Sequence, residues 1–121
     1  MVIIIFIQVL IVAGGEVYGD ALSSTERMAI GAAAWTTVNA LPRALYDMAL
    51  VTVGNLVLSK YVINNIQSVY SAGGKDEEYD HRSEVLVLDG EDWHEIGRLQ
   101  IARGSHAATM IDTASIMEFC N

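Results

Sequence analysis

The histidines are the first place to look for chemistry, and they stand apart. His81, His94 and His106 fall in separate stretches of the chain. No two have the H-x-x-x-H spacing that sets a pair of imidazoles on one helix face for zinc, and Cys120 has no second cysteine to join it. Ser105 and His106 are adjacent, so in a strand their side chains point to opposite faces and form no dyad. "DEEYD", Asp76 to Asp80, concentrates acids but lacks the alternating ligands and central glycine of an EF-hand loop. "AGGEVYG", Ala13 to Gly19, has the glycines of a phosphate loop without its lysine or following helix. The fifteen acidic residues are scattered, so no carboxylate pair marks itself out for acid–base work. The bland readings are turn histidines and a solvated acidic loop. No catalytic, cofactor-binding or metal-ligating residue is assigned, and a non-enzymatic chain is expected.

The elements that carry these residues are limited by composition. The 121 residues make one domain or part of one, and at 52% hydrophobic and 18% charged they are not a disordered tail. A net charge of −8 argues against nucleic acid, whose binding rests on cationic contacts to phosphate, and is compatible with a basic protein partner. The lone Cys120 forms no internal disulfide. The apolar start, "MVIIIFIQVLIVA", is broken only by Gln8 and ends at Gly14-Gly15, too short for a membrane helix, which needs about 20 residues. Its β-branched residues favour a buried strand. A signal peptide is the second reading, weakened because the first basic residue is Arg27. A cytoplasmic location is expected on the first reading and a secreted one on the second.

Set against itself, the chain repeats. Gly14-Gly15 stand against Gly73-Gly74, Glu26 against Glu84, Trp35 against Trp93 and Arg43 against Arg103, at offsets of 58 to 60. Between these marks lie short runs bounded by turn residues: Val9–Ala13, Glu26–Ile30, Trp35–Leu41, Tyr46–Val53, Glu84–Leu88, Trp93–Leu99 and His106–Ile111. They predict an all-β fold. "VGN" (Val53–Asn55) and "LDGED" (Leu88–Asp92) read as tight turns. Trp35 and Trp93 read as core residues between sheets. Arg43 and Arg103 read as structural residues between units rather than anion binders.

The ordered set of glycine pair, tryptophan and arginine, found twice, resembles the kelch repeat over roughly Val9 to Cys120. In that family each repeat is a four-stranded antiparallel blade of a β-propeller, with the glycine pair after the second strand and the tryptophan opening the fourth. The family's third-strand tyrosine is missing: Met28 and Leu86 stand seven residues before each tryptophan. The resemblance implies a strand or signal-like segment over 1–8, an incomplete blade over 9–45, a blade over 46–102 and the start of a further one over 103–121. From Arg43 to Gly73 is 30 residues, twelve more than from Arg103 to the last residue. Residues 60–71, "KYVINNIQSVYS", therefore read as an insertion or a sequence artefact interrupting the blade. A closed propeller takes typically 4–8 blades, so a fragment is expected, or one that pairs with further blades or copies.

The resemblance further implies a protein-interaction module, such as the substrate-recognition part of a ubiquitin-ligase adaptor or an actin-associated scaffold. The alternatives are a fragment of a galactose-oxidase-like propeller enzyme and a truncated non-functional product. The loop holding Asp76, Glu77, Glu78 and Asp80 is the candidate partner-binding loop. Its partner would be a basic protein, with neither nucleic acid nor membrane expected.

Overall fold

The computed structural model describes residues 9–58 and 63–111. They form an all-β chain of antiparallel sheets. β1 (Val9–Ala13), β4 (Thr25–Ala29) and β5 (Thr36–Val38) make a three-stranded sheet in the order β1-β4-β5. β2 (Glu16–Val17) and β3 (Asp20–Ala21) form a small hairpin between β1 and β4. β6 (Ala49–Leu58), β7 (Ile63–Ala72), β8 (Glu84–Asp89) and β9 (Asp92–Arg98) follow one another in a four-stranded meander. No helix among the described residues is long and apolar enough to cross a membrane.

The core lies between the two larger sheets. β8 alternates, with Glu84, Leu86 and Leu88 buried and Val85 and Val87 half-buried, as a strand covered mainly on one face should. Leu86, Leu88 and Trp93 of the four-stranded sheet pack with Ala13 and Val38 of the other sheet and with Leu41 and Leu45 of the connecting segment. The Trp93 indole N–H donates to the Thr25 hydroxyl at 3.0 Å, inside this core. Thr25 is fully buried, so the bond satisfies two polar groups that would otherwise be stranded away from water.

Each glycine pair ends a strand in the same way. Gly14 and Gly15 have φ of 63° and 99°, and Gly73 and Gly74 have 66° and 104°. In the first copy the Gly14 amide donates to Ser24, Gly15 to Leu45, Leu22 to Gly15, Leu41 to Ser23 and Leu45 to Leu22. In the second, Gly73 donates to Glu84, Gly74 to Arg103, Arg82 to Gly74, Leu99 to Ser83 and Arg103 to Arg82. Five backbone bonds recur in one pattern, so the repeat exists in the backbone as well as in the letters.

That pattern also corrects the alignment. Arg103 occupies the place of Leu45, at the offset of 58 that relates the tryptophans, and not that of Arg43. Glu84 occupies the place of Ser24, which puts Leu86, and not Glu84, opposite Glu26.

Other expectations are corrected too. Val53–Asn55 is no turn: it lies inside β6, paired with Ile66, Gln67 and Ser68. Of the expected insertion over 60–71, the described part, residues 63–71, is no loop: it belongs to β7, which pairs with β6 over ten residues. β6 starts at Ala49 rather than Tyr46, since Asp47 takes φ of 53° and Tyr46 makes an isolated bridge to Lys75. His106–Ile111 is not a strand, there being no neighbouring strand among the described residues for it to pair with. Trp35 is 43% exposed whereas Trp93 is buried. The first sheet is covered on one side by the second, and the Trp35 side has no such cover among the described residues. The expected 1–8 segment and the end of the chain beyond Ile111 lie outside the described residues. "LDGED" is a turn as read: Asp89 pairs with Asp92 around Gly90 and Glu91.

Two outcomes follow from these environments. Trp93→Ala should cost about 3–5 kcal/mol, the usual range for a buried aromatic, and Trp35→Ala well under half of that, measured by denaturant unfolding. Ala at a positive-φ site costs roughly 1–2 kcal/mol, which is all Gly90→Ala should lose, since a Cβ there meets open space. Gly14→Ala should lose clearly more, because its Cβ would overlap the Leu45 carbonyl oxygen and the Met48 side chain.

Candidate functional site

The end of the sheets that carries the β2–β3 hairpin and the β7–β8 connection holds most of the exposed chemistry. The β7–β8 connection runs from Gly73 to Ser83 and is built around Asp76. Its Oδ1 accepts the amides of Glu78 at 3.0 Å and Asp80 at 3.1 Å, and its backbone exchanges bonds with Tyr79 and Asp80. This is an Asx-type turn, the local bonding that makes Asp favourable in tight loops. Asp76 Oδ2 faces Arg82 at 3.5 Å and Arg43 at 3.6 Å. Asp76 is therefore a structural hub and not a free acid for a partner, unlike its neighbours Glu77, Glu78 and Asp80, which are exposed.

Arg82 continues inward and forks onto Glu84, with Nε and Nη2 donating to the two carboxylate oxygens. That hydrogen-bonded pairing, assisted by the Glu84 amide and by the charges of Arg82 and Arg43, outweighs burial and holds the Glu84 carboxyl at about 2. The same bond raises Arg82 above its ordinary value. Arg43, Arg82 and Arg98 line a cleft of about 240 Å³ with Pro42, Leu45, Leu86, Glu84 and Glu95. Each arginine is paired there, Arg98 with Glu95 at 3.0 Å. The cleft thus offers no spare positive charge for an anion. Arg103 lies apart from it, exposed, its Nε donating to Ile101 at 3.4 Å.

A second cluster ties the loop to the following segment. Asp47 accepts from Lys75 Nζ at 3.4 Å and from the Ser105 hydroxyl at 3.0 Å, and Lys75 sits 5.7 Å from the Tyr46 ring centroid. Lys75, the first residue of the acidic stretch, is engaged by this neighbour. Net charge around the loop tip is left negative, with Glu16 and Asp20 of the hairpin also exposed.

Tyrosines missed by the sequence reading complete the surface. Tyr18 is wholly exposed at the tip of the β2–β3 hairpin, where it and Gly19 take the positive φ of a two-residue turn. Tyr79 is 65% exposed, with φ of 65°. The two loops approach each other: the Tyr79 hydroxyl lies 4.0 Å from where a Cβ on Gly19 would stand. The usable signal was an aromatic inside a polar turn, "VYGD" and "EEYDH", where burial gives no reason for one.

The histidines remain apart, and among the described residues no group of three His, Cys, Asp or Glu side chains could hold a metal ion. His106 sits against Gly73 with both ring nitrogens buried and unpartnered. The second acidic stretch, around Glu91 and Asp92, is at the opposite end of the four-stranded sheet, in the β8–β9 turn, with Asp92 hydrogen-bonded to Asn39. No protein-family model matches the chain, and no curated protein matches it.

Glu84 makes the stability of this end sensitive to acid. Its folded-state value is depressed from 4.5, so its contribution is complete above pH 4.5 and is lost as pH falls toward about 2. Glu84→Gln should lower the melting temperature at neutral pH and flatten the melting curve's pH dependence within that window. Equal slopes for the two proteins would show that the pair does not carry the effect.

Proposed function

We propose that the chain is a non-catalytic protein-interaction module of the kelch type, binding a basic partner through the loop end. The observation that carries this reading is the joint exposure of Tyr18 and Tyr79 among Glu16, Asp20, Glu77, Glu78 and Asp80. Tyrosine is enriched among the residues that dominate interfaces, and a rim of exposed carboxylates steers a cationic partner and rejects an anionic one. The four-stranded meander and the recurring glycine-pair bonding support the blade-like reading. A ubiquitin-ligase adaptor or actin-associated scaffold is the cellular setting that the resemblance suggests.

The test compares proteins retained from a cell extract by the wild-type chain, by Glu77→Gln/Glu78→Gln/Asp80→Asn, by Tyr18→Asn/Tyr79→Asn, and by Glu91→Gln at the far end. Asparagine is chosen at the tyrosines because it tolerates their left-handed backbone. A basic protein retained by the wild type and by Glu91→Gln should be lost from both loop variants. Its association rate should fall with added salt, since exposed charges are screened beyond about 10 Å at 0.1 M. Equal retention by all four would leave the loop an ordinary solvated connection.

A further inference from the structure

The interface between the two sheets joins two unlike faces. One belongs to the four-stranded sheet and carries Leu86, Leu88 and Trp93; the other belongs to the three-stranded sheet and carries Ile11, Ala13, Thr25 and Val38. Because the two sheets are repeats of one another, each unlike face occurs a second time. The places of Leu88 and Trp93 are taken on the three-stranded sheet by Met28 and Trp35, beside Leu10, which pairs with Met28. The places of Ile11, Ala13 and Thr25 are taken on the four-stranded sheet by Tyr70, Ala72 and Val85. Val85 and Val87 are half-buried, and Leu10 and Trp35 are more than a third exposed. Each of these two faces, uncovered among the described residues, is the counterpart of one half of an interface that the chain already forms.

Thr25 gives way to Val85, and two further positions depart from the pattern together. Leu45 and Leu86 belong to the same core cluster and line the same cleft. Their counterparts on the two free faces are Arg103 and Glu26, both exposed. An apolar pair inside the chain is thus replaced, where the faces are free, by a pair of opposite charges. Neither charge suits a packed apolar core alone, whereas each suits the other.

We infer that the chain associates with a second copy of itself head to tail, the Leu10–Met28–Trp35 face of one copy seating on the Tyr70–Val85–Val87 face of the next, with Glu26 opposite Arg103. This contact is heterologous, so it propagates into a ring or an open stack rather than stopping at a symmetric pair. It uses the sheet faces, with Arg103 bonded to the backbone of the β7–β8 connection, and does not use Tyr18, Tyr79 or the acids of the loop tip.

Sedimentation of the wild-type chain should show assembly that increases with protein concentration. Trp35→Glu blocks one face and Val87→Glu the other, so each variant alone should be monomeric. Mixed in equal amounts, they retain one good face each and should give a one-to-one dimer and nothing larger. Single reversals Glu26→Arg and Arg103→Glu should each weaken assembly by about tenfold or more, and the double reversal should restore it. These two surface positions keep the test decisive if Val87→Glu fails to fold; circular dichroism checks folding, and in Trp35→Glu so does the emission of the remaining Trp93. A monomeric wild type, assembly of either blocked variant alone, larger assemblies in the mixture, or no rescue by the double reversal would overturn the proposal.

Discussion

The structure depends on two consecutive left-handed residues, used twice. Only a residue without a Cβ can take the conformation of Gly14 or Gly73 where it sits, because backbone carbonyls, those of Leu45 and Arg103, occupy the space a side chain would need. The turn so made points successive amides in two directions. One closes onto the next strand's entry, and the other reaches the segment after the sheet's last strand, which in the first copy leads on to β6. Strand pairing within a sheet and spacing between sheets are thereby set at one point. The Trp93–Thr25 bond and the leucines around it fill a gap whose width the glycines have already determined.

The sequence made the periodic, locally specified parts legible. β1, β4, β8 and β9 fall within a residue or two of their expected runs, since each is a short β-rich run between turn residues. The glycine pairs and the Asp89–Asp92 turn were readable because special backbone geometry leaves few residue choices. What failed was decided by partners. "VGN" has turn chemistry, yet the pairing of β6 with β7 runs straight through it. Trp35 and Trp93 are the same residue in the same place of a repeat, and only the second has a sheet against it. Letters also misled: matching Arg43 to Arg103 honoured residue identity, while the hydrogen bonds match Leu45 to Arg103.

At the loop end the acids were visible but their division of labour was not. Asp76 looks like its neighbours in sequence, yet it spends its oxygens on two amides and two guanidinium groups. The acids that follow it, Glu77, Glu78 and Asp80, stand exposed on the loop that Asp76 holds in shape. Tyr18 and Tyr79 passed unnoticed because an aromatic residue is first read as core. Only the turn on which each stands removes that reading.

The β6–β7 ribbon has a consequence for how the molecule opens. β8 lies alongside β7 only from Val69 to Ala72, whereas β6 and β7 continue together from there to Leu58 and Ile63. Beyond Val69 this ribbon has no third described strand beside it, and a two-stranded ribbon is marginal by itself in water. Its distal backbone amides can therefore exchange with solvent through local separation that leaves the Trp93 core intact, while those of β8 must wait for the sheets to part. The chain thus has two tiers of protection, and the lower tier is an unpaired strand edge that other extended chains could reach.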